Sequence, residues 1–141
     1  MKAIGKILIC FVAISFFACS SPETKEYNRL KKYFKKVHSF DINNSIDKIV
    51  VIAEGKNCAT CDNAFSQEVF KNYQGNDKVV FLITATGKII DIKPFLDLEK
   101  NCYFDWNLNI SDYKIFSDSK IIYLGHTKID SLKTNMEYLS L

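Results

Sequence analysis

Cys58-Ala59-Thr60-Cys61 is the stretch of the chain whose residue types and spacing carry chemistry. Two cysteines three positions apart at the first turn of a helix lie on the same side, within reach of a disulfide. The unpaired N–H groups and the dipole of the helix mouth favour a thiolate on the first of them. Cys58 at the mouth would then attack, and Cys61, one turn deeper and more shielded, would resolve the mixed disulfide by closing the intramolecular one. Lys56, two residues upstream, adds a positive charge. An inert stapling disulfide uses the same two residues, and both readings stay open. Zinc needs four ligands, and Cys102 with the distant His38 and His126 supplies no second ligand pair. A c-type haem needs His after the second cysteine, where Asp62 stands. Exchange itself requires no cofactor and no metal.

The surrounding pattern supplies the elements that would position this pair. Ile49-Val50-Val51-Ile52-Ala53 is a β-branched, wholly apolar run, which predicts a strand buried on both faces. After Glu54–Asn57, Phe65, Val69, Phe70 and Tyr73 recur at helical spacing, and Lys78–Thr84 reads as a second buried strand. Residues 47–84 thus predict a strand-helix-strand unit with a parallel, right-handed crossover. In 85–100, Ala85-Thr86-Gly87 followed by Ile90, Ile92 and Pro94 would suit a turn into a hairpin strand, but Ile89, Ile92 and Leu96 fit a short helix broken near Pro94, and helix is the expectation. Cys102–Asp105 reads as an edge strand, with a polar loop after it as far as Ser119. Lys120–Leu124, a Gly125–Lys128 turn and Ile129 to about Leu132 make a hairpin, and the remaining residues allow a short terminal helix. At the other end, Ser20-Ser21-Pro22-Glu23 is a helix-start signal for 23–38, where Tyr27, Leu30, Phe34 and Val37 share one face.

The first residues bear on compartment. Lys2 and Lys6 precede the uninterrupted apolar run Ile7–Phe17, followed by Ala18-Cys19. The run is shorter than the ~20 residues that a membrane-spanning helix needs, so it reads as a secretory signal peptide. Ala18-Cys19 resembles the bacterial lipobox, in which the cysteine receives a diacylglycerol and becomes the first residue of the mature chain. On that reading 1–18 is the signal, 19–44 holds the lipidated Cys19, a tether and the amphipathic helix, and 45–141 is the domain. The expected location is the bacterial cell envelope, lipid-anchored to the inner or outer membrane and facing the periplasm or the cell surface. Such a compartment permits disulfides. A net charge of +3 over 141 residues argues against nucleic acid as a partner. The basic residues of 22–41 (Lys25, Arg29, Lys31, Lys32, Lys35, Lys36) read first as a solvated helix face. So near a lipid anchor, they also read as a surface for anionic headgroups at up to ~1 kcal/mol per cation.

The order strand, Cys58-Ala59-Thr60-Cys61, helix, strand, edge strand ending in Asp105, and hairpin Lys120–Leu132 resembles the thioredoxin-like fold. Its nearest likeness is to membrane-tethered, TlpA-type and redoxin-like thiol-disulfide reductases of the bacterial envelope. The resemblance implies an α/β, three-layer architecture with a central mixed sheet flanked by helices, to which the N-terminal amphipathic helix is an addition. It also implies an envelope protein with exchangeable thiols or a disulfide as partner. The family usually has an aromatic residue before the first cysteine and Pro inside the motif, where this chain has Asn57 and Ala59-Thr60. Family members place a cis-Pro before the hairpin, facing the dithiol and shaping the groove for substrate. The matching residue here is Ser119, the candidate groove residue. A trans bond is expected there, because a cis bond without proline costs roughly 2.5–4 kcal/mol. The same fold with a static Cys58–Cys61 disulfide would be a binding or structural lipoprotein without redox activity.

Other polar residues read as background. Glu54 is a loop glutamate, His126 stands in a hairpin turn, and Trp106 and Tyr103 flank the edge strand as packing residues. Asp97, Glu99, Asp105, Asp112 and Asp118 show no spacing that pairs two carboxylates for acid–base work. Cys102 is expected outside the redox cycle. At the start of a parallel strand of four or five residues, ~3.3 Å each, it would stand ~13–17 Å from the dithiol's end of the sheet.

Overall fold

The computed structural model describes residues 21–54, 58–115 and 118–140. The expected signal peptide, Cys19 and Lys56 lie outside the described residues. The chain is α/β, with a five-stranded mixed sheet between helical layers.

Ser21 caps the first helix, α1 (Pro22–Val37), with its hydroxyl accepting from the Thr24 N–H, and Pro22 occupies the first turn, where no N–H is needed. Strand β1 (Lys48–Ile52) is followed by α2 (Ala59–Tyr73) and β2 (Val79–Ile83), which pairs parallel to β1 in the register Val50 to Phe81. A four-residue helix, α3 (Lys93–Leu96), leads to β3 (Cys102–Phe104), parallel to β2. After a 3-10 turn at Asn109–Tyr113 come the hairpin β4 (Lys120–Leu124) and β5 (Ile129–Thr134), then α4 (Asn135–Leu139). The sheet order is β3-β2-β1-β4-β5, with β4 antiparallel to both its neighbours.

The central position of β1 follows from its composition. Ile49, Val50, Val51 and Ile52 are all fully buried, and each such side chain removed from water contributes about 1.5–3 kcal/mol. Ile49 and Val51 meet Leu30, Tyr33 and Phe34 of α1, whereas Val50 and Ile52 meet Phe65 and Val69 of α2. The two long helices therefore cover opposite faces of the sheet.

Two expectations need correction. Residues 85–92 form no helix: Ile89 and Leu96 are 50% and 56% exposed, and Ile90, Ile92 and Phe95 are buried instead. Pro94 stands in the first turn of α3 rather than breaking a helix, because a missing N–H costs nothing there. The stretch from Asp105 to Ser119 is also more than polar loop, since the 3-10 turn and the segment behind it bury Ile110 and Ile115 against the α1 face.

Candidate functional site

Cys58 is the N-cap of α2 and Cys61 stands in its first turn. The two form a disulfide, with Cα atoms 5.2 Å apart, inside the usual 4.4–6.8 Å range. The Cys61 N–H donates to Cys58 Sγ at 3.2 Å, and the Asp62 N–H donates to the Cys58 carbonyl at 3.0 Å. Cys58 sulfur thus takes the place of a capping oxygen at the positive end of a fifteen-residue helix, a position that stabilises negative charge when the bond opens. Both cysteines are half-buried, so position on the helix, rather than depth, distinguishes them.

The pair stands beyond the carboxyl end of β1, the central strand, as a strand-loop-helix site should in an α/β sheet. Ser119 closes that end of the strand from the other side. It is fully buried, donating its hydroxyl to the Ala53 carbonyl at 2.8 Å and accepting from the Ala53 N–H at 3.0 Å. Among the described residues no peptide bond is cis. The Ser119 carbonyl accepts from the Asn135 N–H at 3.2 Å, which extends the β4–β5 ladder to the first residue of α4.

Asn135 then reaches the dithiol helix, its Nδ2 donating to Asp62 Oδ1 at 2.7 Å. Asp62 directly follows Cys61 and is only 2% exposed. Together these bonds tie Ala53, Ser119, Asn135 and Asp62 into a frame around the disulfide. Two contacts hold α4 against α2: Asn72 Nδ2 donates to the Tyr138 hydroxyl at 2.9 Å, and the Phe65 and Tyr138 rings meet edge to face at 5.6 Å. A five-residue helix needs such docking, because helices this short are not stable alone.

Glu54 staples the loops around the site. It accepts from Thr86 Oγ1 at 2.9 Å and from the Lys88 and Ile89 N–H groups at 3.1 and 3.3 Å. Burial pushes its carboxyl up, but those bonds more than offset this and hold it below the usual range. Its oxygens are thereby engaged away from any thiol proton. Cys102 is a free, half-buried thiol, and burial pushes it up to about 12. It stands in register with Phe81, which in turn stands beside Val50, so two strand spacings, roughly 9–10 Å, separate it from β1. That alone exceeds the ~7 Å limit for a bridge. Level with Val50, two residues before the end of β1, Cys102 is also set back along the strands, though by less than a four- or five-residue strand would give, since β3 has three residues.

Asp105 is 1% exposed and forms a second buried centre. Its carboxylate accepts from the Tyr33 hydroxyl at 2.9 Å, the Ile110 N–H at 2.7 Å, and the Asn109 N–H and Nδ2 at 2.9 and 2.8 Å. Tyr33 gives its proton to Asp105, so His38 Nε2, 2.9 Å from the same hydroxyl, supplies the proton between them. Tyr103 packs as expected, its ring 5.0–5.7 Å from those of Phe40, His38 and Phe34. Trp106 does not: stacked on Phe104 at 5.0 Å, it remains 51% exposed.

Sequence reasoning passed over Asp62 and Asn135 as site residues. The signal for Asp62 is its place on the buried stripe Asp62, Phe65, Ser66 and Val69, whose spacing puts an acid where an apolar residue belongs. Comparison with protein-family models, with curated proteins and with solved structures gives no match. Among the described residues no helix is long and apolar enough to cross a membrane, and no group of His, Cys, Asp and Glu is arranged to hold a metal ion.

Proposed function

We propose that the protein exchanges thiols and disulfides with a partner protein of the bacterial envelope, to which it is anchored by lipid on Cys19. The observation that carries this reading is the Cys58–Cys61 disulfide at the mouth of α2, with Cys58 sulfur as the capping group. In the reduced protein the Cys58 thiolate attacks a disulfide of the partner, forming a mixed disulfide and releasing one partner thiol. The Cys61 thiolate then attacks Cys58 sulfur, releasing the second partner thiol and closing Cys58–Cys61. The partner gains two electrons and the protein loses two; with a dithiol partner the same steps run backwards. The strand order and the antiparallel β4–β5 hairpin ending in a helix support a thioredoxin-like arrangement, with α1 as an addition to it.

A second reading, a static disulfide in a binding or structural lipoprotein, is favoured by Ser119. Its buried hydroxyl is spent on Ala53 instead of facing a groove. The reduction potential of the pair separates the two readings. Equilibration with glutathione buffers should give a value between roughly −120 and −270 mV for exchange, whereas a value below about −300 mV means a structural bridge. In cells, Cys61→Ser should accumulate mixed disulfides on non-reducing gels and Cys58→Ser should not. Equal trapping by both variants would overturn the assigned order of attack.

A further inference from the structure

Charge is not spread evenly over this chain. Helix α1 carries six cations (Lys25, Arg29, Lys31, Lys32, Lys35, Lys36) against Glu23 and Glu26, a net of +4. Residues 38–141 carry 11 Lys against 14 Asp and Glu, a net of −3. Within α1, Lys25, Arg29, Lys32 and Lys36 are spaced by four, three and four residues, which at 100° per residue confines them to an arc of about 60° and a length of roughly 16 Å. That arc lies opposite the buried residues Tyr27, Leu30, Tyr33 and Phe34, and all four cations are exposed. None of them takes part in the ion pairs found among the described residues; the one pair on α1 joins Lys31 to Asp41 at 3.6 Å.

We infer that this stripe lies on the surface of an anionic bilayer and fixes the orientation of the domain above it. Two observations select a lipid surface among polyanions. First, the stripe is a single narrow row along one helix, which suits a plane better than a groove-tracking contact. Second, α1 starts three residues after Cys19, a span of roughly 10 Å in extended chain, so a lipid on Cys19 holds the stripe at the headgroups. In this second respect the inference rests on the reading of the protein as a lipoprotein. Charge decides the orientation, since an anionic surface attracts α1 and repels the remaining net-negative body. Because α1 and α2 cover opposite faces of the sheet, and packed layers stand about 10 Å apart, the dithiol is then held roughly 20 Å above the axis of α1. At that height it meets a partner's region outside the membrane, not its transmembrane segments.

The test is lysine footprinting of the full chain reconstituted in vesicles, using a membrane-impermeant amine acylating reagent and peptide mass spectrometry. One set of vesicles is phosphatidylcholine alone, and the other contains about one third phosphatidylglycerol. On the anionic vesicles Lys25, Lys32 and Lys36 should label at least fivefold more slowly than on the neutral ones, while Lys71 and Lys93 in the far layer label equally on both. At about 0.5 M salt the protection should disappear. A quadruple variant, K25Q/R29Q/K32Q/K36Q, should lose the protection of neighbouring Lys35, and K25R/K32R/K36R should retain it. Equal labelling of α1 on both vesicles, or protection that survives high salt, overturns the inference. Stronger protection by duplex DNA than by the anionic vesicles assigns the stripe to nucleic acid and overturns it too. The intact mass of the anchored chain reports Cys19 acylation separately, and the potential of the dithiol is independent of both, so a failure of either earlier reading is distinguishable from a failure of this one.

Discussion

Asp62 and Asp105 are buried at the same end of the sheet, one under each face, and they are provisioned differently. Asp105 collects four donors, three of them from the two residues Asn109 and Ile110 and the fourth from Tyr33 of α1. A carboxylate so surrounded is a knot: it fixes the exit of β3, the 3-10 turn and α1 to one another, and its charge is neutralised by bonds that do not change. Asp62 sits in the first turn of the helix that carries the disulfide, directly after Cys61, and its bond from Asn135 comes from the last helix of the chain. It is the acidic side chain nearest in sequence to the pair whose charge changes when the disulfide opens. Equal burial therefore goes with two different settings, one joining three segments of the fold and the other beside the disulfide on α2.

The largest expected effect is on the knot. Asp105→Ala leaves the Tyr33 hydroxyl and two backbone N–H groups without their acceptor, and a loss of about 3–4 kcal/mol is expected in urea denaturation. Burial raises the Asp105 pKa, but the bonds from Ile110, Asn109 and Tyr33 outweigh it and hold it below the ordinary value. Its contribution to stability is therefore present above the unfolded-state pKa, near 4, and is lost as pH falls through the lower folded value. Denaturation midpoints between about pH 5 and pH 2 should fall more steeply for the wild type than for Asp105→Asn. Parallel curves would show that Asp105 is not the knot it resembles.

The comparison also indicates what a sequence discloses. Strands β1 and β2, the helix after Cys58 and the β4–β5 hairpin were legible because each is a run of one period bounded by turn residues, and burial on both faces left β1 only a central place. Asp105 was not legible as a knot, since its donors Tyr33 and Asn109 lie 72 residues before and 4 after it, and no periodicity links them. Residues 85–92 misled because Ile89 matched a helical stripe while lacking anything to pack against. Of the candidate site, the two cysteines and Ser119 were singled out in the sequence and Asp62 and Asn135 were not: Ser119 and Asn135 are joined by the hairpin register, which becomes visible only once the strands are paired.

Asp62→Asn should act on the thiols more than on the fold. A neighbouring carboxylate disfavours a thiolate, so removing it should lower the pH midpoint of alkylation of the reduced pair by up to about one unit. Favouring the thiolates stabilises the reduced form and makes the potential less negative. Stability should drop by only about 1 kcal/mol, since Asn keeps the size of the side chain. Asp105→Asn should leave the alkylation midpoint in place. If both variants move it equally, the division of labour between the two acids fails. Cys102 provides the internal reference, because its thiol, pushed up to about 12 by burial, should alkylate far more slowly at pH 8 than Cys58 in the same reduced sample, and should be the one of Cys58, Cys61 and Cys102 to carry an adduct after the oxidised protein is denatured. A Cys102 peptide linked to Cys58 or Cys61 would contradict the strand register.

The smallest effect probes the helix beneath Asp62. Ser66 lies four residues further along the same buried stripe, fully buried, and its hydroxyl has no hydrogen-bond partner among the described residues. A buried hydroxyl that gives up water without a partner costs about 1–3 kcal/mol, and its removal leaves only a methyl-sized change in packing. Alanine also has the higher helix propensity, by a few tenths of a kcal/mol. Ser66→Ala should therefore raise stability by about 1 kcal/mol in urea denaturation, opposite in sign to both aspartate substitutions. It should leave the alkylation midpoint of the dithiol unchanged, because no charge is removed. A destabilised Ser66→Ala would mean that the hydroxyl is satisfied in solution, and a shifted midpoint would mean that the fold of α2, rather than the charge of Asp62, sets the chemistry of the pair.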